Sequence, residues 1–486
     1  MLNLKDPTLL RQQAYVAGEW IDADDGATVA VVNPATGLTL GTVPMCGTAE
    51  TKRAIAAAEV AQRAWAQVSA KERAAILRKL NDLMLANADD LALIMTSEQG
   101  KPLTEAKGEI VYAASFIEWF AEEARRVYGD TIPATSGDKR IIAIKQPVGV
   151  TAAITPWNFP TAMLTRKAGP ALAAGCSMVV KPATQTPFSA LAFAELAARA
   201  GVPKGLLSVL TGSATKIGAE MTASPIVRKL TFTGSTDVGR TLMRQSADTI
   251  KKLSLELGGN APFIVFDDAD VDAAVEGAII SKYRNTGQTC VCANRLYVQR
   301  GVLKAFSDKL VAKVKAMKVG NGVEPGVVQG PLIDMKAIAK IEEHIADARQ
   351  KGGEVLTGGK RHALGGQFFE PTVLAGATAD MLVAKEETFG PLAPIFAFDT
   401  EDEVIKLAND TEFGLASYFY SRDIGRVMRV AEKLESGMVG VNTGLISTAE
   451  APFGGVKQSG LGREGSKYGL DDFLEIKYIC LGGIDK

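Results

Sequence analysis

A cysteine stands at the end of a short polar, glycine-containing segment, Asn285-Thr286-Gly287-Gln288-Thr289-Cys290. An apolar helical run (275–283) precedes this segment and a strand-like run (295–298) follows it, so the thiol of Cys290 is expected at a junction where it can face a cleft. Thiolate is a strong nucleophile even when only a few per cent of the thiol is ionised. A free cysteine is more commonly a small buried hydrophobe, and this segment alone does not decide between the two.

A carboxylate within an apolar strand could supply the base that such thiol chemistry needs. Glu256 lies in the segment Leu255-Glu256-Leu257-Gly258-Gly259, at the end of a strand-like run. Apolar neighbours weaken the solvation of a carboxylate and make it more basic, which suits a general base near neutral pH. A solvated surface carboxylate is the alternative, and a position between two leucines of an inner strand disfavours it.

Two glycine-containing patterns compete as sites for a phosphate group. Gly460-Leu461-Gly462-Arg463-Glu464-Gly465 has the spacing of the dinucleotide fingerprint, but no strand precedes it and too few residues follow it for a βαβ unit. Thr233-Gly234-Ser235-Thr236-Asp237-Val238-Gly239 follows a strand-like run and opens a helix, where backbone N–H groups can hold a phosphate. An ordinary βα turn is the alternative. Lys181 ends another strand and could reach a ribose hydroxyl or a phosphate, or it could be a solvated surface lysine.

The composition is that of an ordinary globular protein. Of the 486 residues, 47% are hydrophobic and 22% are charged, and the net charge of -1 offers no field for a polyanion, so nucleic acid is not an expected partner. Five cysteines in a chain of this length favour a reducing compartment, and Cys290 and Cys292 lack the further ligands of a zinc site. No apolar run has the length of a membrane span and no signal peptide is evident, so a cytoplasmic enzyme is predicted.

Strand-like and helical segments alternate along most of the chain. One alternating series runs from 148 to 257, and a second runs from 263 to about 420. This pattern predicts an α/β fold in which helices cover both faces of parallel sheets.

Other local signals lie outside these two series. Segments 140–145 and 473–479 are strand-like. Residues 14–21 and 29–32 are predicted to pair as a hairpin around Asp24-Asp25-Gly26. The sequence Ser69-Ala70-Lys71-Glu72 predicts a capping box at the start of a helix.

Four segments together resemble the aldehyde dehydrogenase family. They are Thr155-Pro156-Trp157-Asn158-Phe159-Pro160, Leu255-Glu256-Leu257-Gly258-Gly259, Gly287-Gln288-Thr289-Cys290 and Glu386-Glu387-Thr388-Phe389-Gly390-Pro391, and the similarity extends in order over essentially the whole chain. The resemblance implies two parallel α/β open-sheet domains with a small β oligomerisation arm, and hence a homodimer or a homotetramer. It assigns residues 1–127 and 148–257 to a dinucleotide-binding domain, 258–468 to a catalytic thiol domain, and 128–147 and 469–486 to oligomerisation segments.

The resemblance also implies a role for each matching side chain. Cys290 would be the nucleophile, Glu256 the general base, and Asn158 a hydrogen-bond donor to the oxyanion. The residues expected to contact a nicotinamide dinucleotide are Thr155, Pro156, Trp157, Lys181, Thr184, Gly234, Ser235, Leu257, Glu387 and Phe389. In this chemistry an aldehyde becomes a thiohemiacetal and then a thioester, which water hydrolyses to the acid, and no metal site is expected.

The flanks of Cys290 are similar to those of succinate-semialdehyde dehydrogenases within the family. This similarity implies that Arg166, Arg284 and Ser447 hold the far carboxylate of the substrate, and a guanidinium fork suits a carboxylate. Structural ion pairs are the alternative for the two arginines. The predicted substrate is therefore succinate semialdehyde, with glutarate semialdehyde or a broader range of ω-carboxylate and aliphatic aldehydes as alternatives.

The cofactor prediction depends on Thr184. NAD-selective relatives often carry Glu at the matching position, where its carboxylate repels a 2′-phosphate. The neutral Thr184 leaves room for that phosphate beside Lys181, so NADP is predicted as the preferred cofactor and NAD as a further acceptor.

Two rival functions are disfavoured by the residues present. A cysteine–histidine hydrolase needs a histidine base, and neither His344 nor His362 has an evident tie to Cys290. An enzyme that passes the thioester to coenzyme A would typically lack the equivalent of Glu256. A small anionic aldehyde therefore remains the expected partner.

Overall fold

Strands and helices alternate along the chain, and the computed structural model describes them over residues 2–484. The strands are β1 (Ala14–Val16), β2 (Glu19–Ile21), β3 (Thr28–Val32), β4 (Thr39–Pro44), β5 (Asp130–Ile132), β6 (Lys139–Pro147), β7 (Val150–Ile154), β8 (Ser177–Lys181), β9 (Leu207–Val209), β10 (Val227–Thr233), β11 (Lys252–Glu256), β12 (Ala261–Val265), β13 (Ala293–Gln299), β14 (Glu354–Thr357), β15 (Thr372–Ala375), β16 (Leu392–Phe398), β17 (Phe413–Gly414), β18 (Ala416–Tyr420), β19 (Met438–Val441), β20 (Val456–Lys457), β21 (Gly460–Leu461) and β22 (Leu474–Gly482). The α-helices are α1 (Thr48–Trp65), α2 (Ala70–Ala86), α3 (Ala88–Gln99), α4 (Leu103–Glu123), α5 (Ala162–Ala174), α6 (Pro187–Ala200), α7 (Ala214–Ala223), α8 (Thr236–Ser246), α9 (Val271–Tyr283), α10 (Arg300–Lys315), α11 (Met335–Gln350), α12 (Leu382–Lys385), α13 (Glu401–Asn409), α14 (Ile424–Lys433) and α15 (Ser466–Asp471). The fold class is α/β, as the sequence predicts.

Local sequence signals determine where helices α2, α3 and α4 begin or end. Ser69 caps the N-terminus of α2. Its hydroxyl accepts from the N–H of Glu72 at 3.3 Å, and the Glu72 carboxylate accepts from the N–H of Ser69 at 3.2 Å. This is the reciprocal cap that the sequence predicts. Gly100 ends α3 with a φ of 98°, a conformation that glycine adopts without strain, and α4 begins after Pro102.

The first sheet has eight strands in the order β2-β1-β9-β8-β7-β10-β11-β21. Its five central strands are parallel, and the strands at its two ends are antiparallel. Ile154 lies opposite Lys181 and Phe232, and Thr233 lies opposite Glu256. The carboxyl ends of β7, β8, β10 and β11 therefore reach one edge together, which is where ligands of open α/β sheets bind.

The second sheet has seven strands in the order β14-β15-β16-β13-β12-β18-β19. All of them are parallel except the edge strand β14. Because the strands run in one direction, the segments that enter β12, β13 and β16 lie at the same edge. These segments contain Gly259, Cys290 and Glu387.

A three-stranded antiparallel sheet, β22-β6-β5, forms an arm apart from the two large sheets. β22 pairs with β6 over nine residues, beginning with Leu474 opposite Pro147. Ile476 and Tyr478 on this edge strand are 74% and 63% exposed. Residues 1, 485 and 486, which belong to the predicted domain boundaries, lie outside the described residues.

The predicted pairing of residues 14–21 with residues 29–32 is wrong. Two hairpins form instead, β1 with β2 and β3 with β4. Ala17 and Gly18 make the turn of the first hairpin with φ values of 55° and 85°, and positive φ at both central positions matches the twist of a tight hairpin. The Asp-Asp-Gly segment 24–26 forms only the turn that joins the two hairpins.

Apolar side chains cover both faces of each large sheet. Met178 and Val180 of β8 belong to one apolar cluster and Val179 to another, as alternate side chains of a doubly covered strand must. In β12 of the second sheet, Ile264 belongs to one apolar cluster and Val265 to another. Within the described residues, no helix is long and apolar enough to cross a membrane, and no three His, Cys, Asp or Glu side chains gather as a metal site requires.

Candidate active site

The carboxyl edge of the first sheet faces the amino edge of the second across a cavity of about 230 Å³. The lining residues are Pro156, Trp157, Asn158, Thr233, Gly234, Ser235, Leu257, Gly258, Cys290, Glu387 and Phe389. All of these except Thr233 and Gly258 are site residues that the sequence predicts. Thr155, Lys181, Thr184 and Glu256 stand outside this lining, at the ends of the strands behind it.

The segment that carries Cys290 is held in a conformation that side chains rarely adopt. Asn285 and Thr286 have φ values of 51° and 57°, in the left-handed region. Glu105 of α4 supports this conformation, because its Oε2 accepts from the N–H of Asn285 at 2.7 Å. Thr286 adds a hydrogen bond from its hydroxyl to the carbonyl of Gly330 at 3.2 Å.

Two glycines near Cys290 allow close backbone approach. A Cβ at Gly287 would lie 2.2 Å from the carbonyl oxygen of Gly390, and a Cβ at Gly259 would lie 2.4 Å from the carbonyl oxygen of Cys290. Gln288 completes the support, since its Oε1 accepts from the N–H of Ile333 at 2.9 Å. The glycine and glutamine of the segment are therefore structural, and they fix where the thiol stands.

The protein holds the thiol of Cys290 in its protonated form. Burial raises the pKa of Cys290 to about 12, and the carboxylate of Glu387 adds to the rise, while the guanidinium of Arg166 opposes it. At pH 7 such a pKa leaves only about one thiol in 10⁵ ionised, far below the few per cent expected for an ordinary cysteine. A thiol with this pKa could act as a nucleophile only if a base took its proton.

Asn158 follows β7 and bridges to the cysteine segment. Its Nδ2 donates to the carbonyl oxygen of Gln288 at 3.0 Å. The backbone carbonyl oxygen of Asn158 accepts from Nδ2 of Asn285 at 2.9 Å and from Nζ of Lys101 at 2.7 Å. These contacts fix the amide beside Cys290 in the cavity lining. Because an amide nitrogen carries two N–H groups, one remains for an oxyanion.

Glu256 is the last residue of β11 and is 2% exposed. Its Oε2 has no hydrogen-bond partner in the described part of the chain. Gly454 leaves the space that the carboxylate fills, since a Cβ there would lie 2.9 Å from Oε1 of Glu256. Burial raises the pKa of Glu256 well above its usual value, and the neighbouring Glu464 carboxylate adds to the rise. A carboxylate with such a pKa can take a proton from a thiol or from water.

A buried charge cluster beside Glu256 is missing from the sequence-based prediction. Glu464 is paired with Nζ of Lys167, and its Oε2 lies 2.9 Å from Nε of Arg166. Lys167 also donates to the hydroxyl of Thr233 at 2.6 Å. Although burial raises the pKa of Glu464, Lys167 and Arg166 together hold it below its usual value. The signal that could have revealed this cluster is the pair of adjacent basic residues in the otherwise apolar helix α5.

Arg166 belongs to this charge cluster through its ion pair with Glu464. It is 1% exposed, and its guanidinium lies 3.7 Å from the ring centroid of Phe453. One edge of the guanidinium faces Glu464, while Nη2 has no hydrogen-bond partner among residues 2–484. A structural ion pair therefore accounts for Nε of Arg166, Nη1 lies 3.6 Å from Sδ of Met163, and Arg166 is absent from the lining of the Cys290 cavity.

Arg284 and Ser447 meet at a second cavity, of about 270 Å³. Its other lining residues are Glu105, Gly108, Glu109, Tyr112, Phe159 and Leu445, and Arg166 is not among them. The guanidinium of Arg284 lies 5.1 Å from the ring centroid of Phe159. Asn158 lines the first cavity, and the residue that follows it, Phe159, lines the second.

Lys181, Thr184 and Ser235 offer groups that fit phosphates, and of these Ser235 lines the first cavity. Nζ of Lys181 donates to the carbonyl oxygen of Pro182 at 2.7 Å and to the hydroxyl of Thr184 at 3.2 Å. Burial lowers the pKa of Lys181 to about 8, and a phosphate beside it would restore its charge. Ser235 is exposed at the start of α8, and its hydroxyl makes no capping hydrogen bond to that helix. A lysine, a hydroxyl and a helix N-terminus together fit a phosphorylated dinucleotide.

The near end of the first cavity offers groups that fit a ribose and a flat ring. Oε1 of Glu387 accepts from the N–H of Gly259 at 3.3 Å, and burial raises the pKa of Glu387 to about 8. Phe389 packs edge-on against Trp157 with 5.6 Å between the ring centroids. The hydroxyl of Thr155 is buried and lacks a hydrogen-bond partner within the described residues. This wall therefore combines aromatic surface with the carboxyl group of Glu387, which can bind hydroxyls, and Thr155 stands behind it.

Comparison with known proteins agrees with this geometry. A model of the aldehyde dehydrogenase family matches residues 20–479. The chain is 70% identical over 483 residues to the glutarate-semialdehyde dehydrogenase of Pseudomonas aeruginosa, a match that covers 99% of this chain and 100% of the relative. It is 65% identical over 481 residues to the NADP(+) succinate-semialdehyde dehydrogenase of Escherichia coli, with 99% and 100% covered.

A solved structure gives the same result. The crystal structure of succinate-semialdehyde dehydrogenase from Burkholderia pseudomallei matches with a TM-score of 0.98 at 68% identity, and the match covers 99% of this chain and 100% of that one. Both the family match and these identities extend over nearly the whole chain. The chain belongs to the aldehyde dehydrogenase family, oxidoreductases that act on the aldehyde group and use NAD or NADP.

Proposed function

We propose that the enzyme oxidises succinate semialdehyde to succinate with NADP. The observation that carries this proposal is the cavity shared by Arg284 and Ser447, whose lining residue Phe159 directly follows Asn158 of the Cys290 cavity. A carboxylate is bound well by a guanidinium and a hydroxyl in a buried site, whereas a neutral aldehyde chain would suit apolar walls. A short ω-carboxylate aldehyde can place its carboxylate beside Arg284 and its aldehyde carbon beside Cys290.

Cys290 is the proposed nucleophile and Glu256 the proposed base. The sulfur attacks the aldehyde carbon and forms a thiohemiacetal, while the thiol proton passes to the base. Glu256 suits this step because burial raises its pKa well above the usual value. The aldehyde oxygen gains negative charge and accepts hydrogen bonds from the amide of Asn158 and the backbone N–H of Cys290. The loss of one such donor typically lowers turnover by ~10²–10³.

The second half of the reaction releases the acid. When bound, NADP accepts the hydride that leaves the substrate carbon. Cys290 is then joined to the acyl carbon as a thioester. Glu256 first releases the thiol proton to solvent. Water then gives a proton to Glu256 and attacks this carbon, the carbon–sulfur bond breaks, and the Cys290 thiolate takes that proton from Glu256 as the acid leaves.

NADP is the proposed cofactor because of the pair Lys181 and Thr184. Their side chains lie 3.2 Å apart, and neither carries a negative charge. A 2′-phosphate beside them would meet a hydroxyl and an ammonium rather than a carboxylate. The name of the Escherichia coli relative, which includes NADP(+), supports this assignment.

Glutarate semialdehyde is the second candidate substrate. The chain is 70% identical to a glutarate-semialdehyde dehydrogenase and 65% identical to a succinate-semialdehyde dehydrogenase. One extra methylene group changes binding by only about 1–3 kcal/mol. The same cavity can therefore serve both substrates, and their ratio has to be measured.

Arg284→Leu tests the proposed substrate class. We would measure kcat and KM of the parent and the variant for succinate semialdehyde, glutarate semialdehyde and butanal, with each cofactor and without coenzyme A. The KM for both semialdehydes should rise by about 10- to 100-fold, the worth of a hydrogen bond to a charged group, while the values for butanal stay within about threefold. Arg300→Leu, which removes an arginine 62% exposed on α10, is the matched control. Equal losses for all three aldehydes would contradict the proposal.

Three further features of the protein are proposed. The arm formed by β22, β6 and β5 supports a homodimer or a homotetramer, because its edge strand exposes unpaired backbone groups. The membership of the three sheets supports the division of the chain into a dinucleotide-binding part, a thiol part and an arm. The five cysteines are all free thiols, which supports work in the cytoplasm.

A further inference from the structure

Tyr112 on helix α4 carries a buried hydroxyl that nothing in the proposed reaction uses. Its ring packs edge-on against Phe116, with 4.9 Å between the centroids. Its hydroxyl oxygen is enclosed and has no hydrogen-bond partner among residues 2–484. An unpaired hydroxyl away from water costs free energy, so this position fits a group that arrives with a ligand.

Tyr112 lies near the three residues predicted to hold a carboxylate. Tyr112 lines the 270 Å³ cavity together with Arg284 and Ser447. Burial raises the pKa of the Tyr112 phenol, and the guanidinium groups of Arg166 and Arg284 oppose that rise, followed by the hydroxyl of Ser447. The guanidinium of Arg166 lies 5.5 Å from the ring centroid of Phe116, on the neighbouring turn of the helix that carries Tyr112.

Two carboxylates also line this cavity, and both already have partners. Glu109 is paired with the ammonium of Lys101, and its Oε1 accepts from the N–H of Thr161 at 3.1 Å. Glu105 accepts from the N–H of Asn285 at 2.7 Å. Arg284, Ser447 and Tyr112 supply hydrogen-bond donors to this cavity, which suits a ligand whose atoms only accept.

We propose that Tyr112 is a further specificity-determining residue, whose hydroxyl donates to the far carboxylate of the substrate alongside Arg284 and Ser447. This inference rests on the proposed function and names a residue of the same subsite. A carboxylate has two oxygens and about four acceptor positions. A guanidinium can occupy two of these positions, and the hydroxyls of Ser447 and Tyr112 can occupy the others. A neutral aldehyde of the same length has no acceptor there and gains nothing from Tyr112.

Tyr112→Phe is the direct test, since it removes one oxygen and keeps the ring against Phe116. The KM for succinate semialdehyde and glutarate semialdehyde should rise by about 10- to 100-fold with kcat changed little, because the interaction is the same in the ground state and the transition state. Values for butanal should not change. The inhibition constant of succinate against butanal oxidation should rise by the same factor. Tyr128→Phe, which alters a tyrosine 71% exposed at the surface, is the control.

The outcomes separate this inference from the proposed function. If Tyr112→Phe leaves the KM of both semialdehydes and the succinate inhibition constant unchanged, or changes succinate semialdehyde and butanal equally, then Tyr112 is a packing residue and the inference is wrong. In that case Arg284→Leu would still discriminate against the semialdehydes. If the parent enzyme itself does not prefer the semialdehydes over butanal, the proposed function is wrong and this inference is wrong with it.

Discussion

Cys290 and Glu256 are two acids whose protons the protein holds tightly. Burial raises the pKa of Cys290 to about 12, and burial also raises the pKa of Glu256 well above its usual value. For an acid with a raised pKa, the ionised fraction increases as the pH rises. In the proposed reaction a proton moves from Cys290 to Glu256, and alkaline conditions favour the ionised forms of both groups.

The pH dependence of turnover follows from these shifts. We expect kcat/KM for butanal at saturating NADP to rise between about pH 6 and pH 9, by up to about tenfold per pH unit where one deprotonation limits the rate. Glu256→Gln should lower kcat by ~10²–10⁴, the usual worth of a general base. Glu122→Gln, which alters a partly exposed carboxylate on α4, is the matched control. A flat profile in the parent would count against this view of the pair.

Thr184→Glu should change the choice of cofactor. A carboxylate at this position would pair with Lys181, whose Nζ now lies 3.2 Å from the Thr184 hydroxyl, and it would repel a 2′-phosphate. The ratio of kcat/KM with NADP to that with NAD should fall by about tenfold or more. Thr184→Ser keeps a neutral hydroxyl and should keep the ratio of the parent. An unchanged ratio in Thr184→Glu would show that other residues determine whether the 2′-phosphate is accepted.

At the scale of elements, helix α4 supports the cysteine segment from the side. Glu105 accepts from the backbone of Asn285, which stands in a left-handed conformation together with Thr286. Such conformations cost free energy and persist only when the surroundings hold them. The position of Cys290 therefore depends on a helix that supplies neither the proposed nucleophile nor the proposed base.

Glu105→Ala should loosen the cysteine segment. We expect a loss of about 1–3 kcal/mol in the free energy of unfolding, because a buried N–H loses its acceptor. A fall in kcat should accompany this loss. Glu105→Gln keeps an acceptor oxygen and should retain most of both quantities. Denaturant unfolding with parallel assays measures the effect, and an Ala variant as stable and active as the parent would contradict it.

The sequence predicts the elements of the first sheet closely, because their signals are local. Helix α5 (162–174) lies within the predicted alternating series 148–257 and has a glycine directly after its end. Helix α7 has a weaker local signal, since Ala214–Ala223 is short and mixes small and polar residues. The N-terminal hairpins were mispaired because the turn at Ala17-Gly18 lacks the Asn-Gly or Asp-Gly signal of tight hairpins.

The site shows the same division between local and distant signals. Cys290 and Glu256 stand in motifs of their own, and the structure brings their segments to facing sheet edges. Lys167, Glu464 and Tyr112 carry no such motif. Each acquires its importance from side chains that are distant in sequence, and helical periodicity alone cannot reveal those neighbours.

At the scale of the whole molecule, the arm offers a surface for assembly. Ile476 and Tyr478 on the edge strand β22 are 74% and 63% exposed, and an exposed apolar edge strand favours pairing with another chain. The double variant Ile476→Lys, Tyr478→Lys should shift the mass measured by light scattering from a dimer or tetramer towards a smaller species. Leu38→Lys, at a position 68% exposed on the β3–β4 hairpin, should leave the mass unchanged. The same mass for both variants would exclude these two side chains from the interface.

The buried charge cluster also bears on how the protein is made. Lys167 precedes its partner Glu464 by 297 residues, and β21, just before Glu464, completes the first sheet. While the ribosome is still synthesising the middle of the chain, helix α5 carries two cations that cannot be buried without several kcal/mol of cost. The nascent protein is therefore expected to keep this helix open until its last segment emerges. A prematurely terminated chain would stay in that open state, where chaperones and proteases can distinguish it from the finished enzyme.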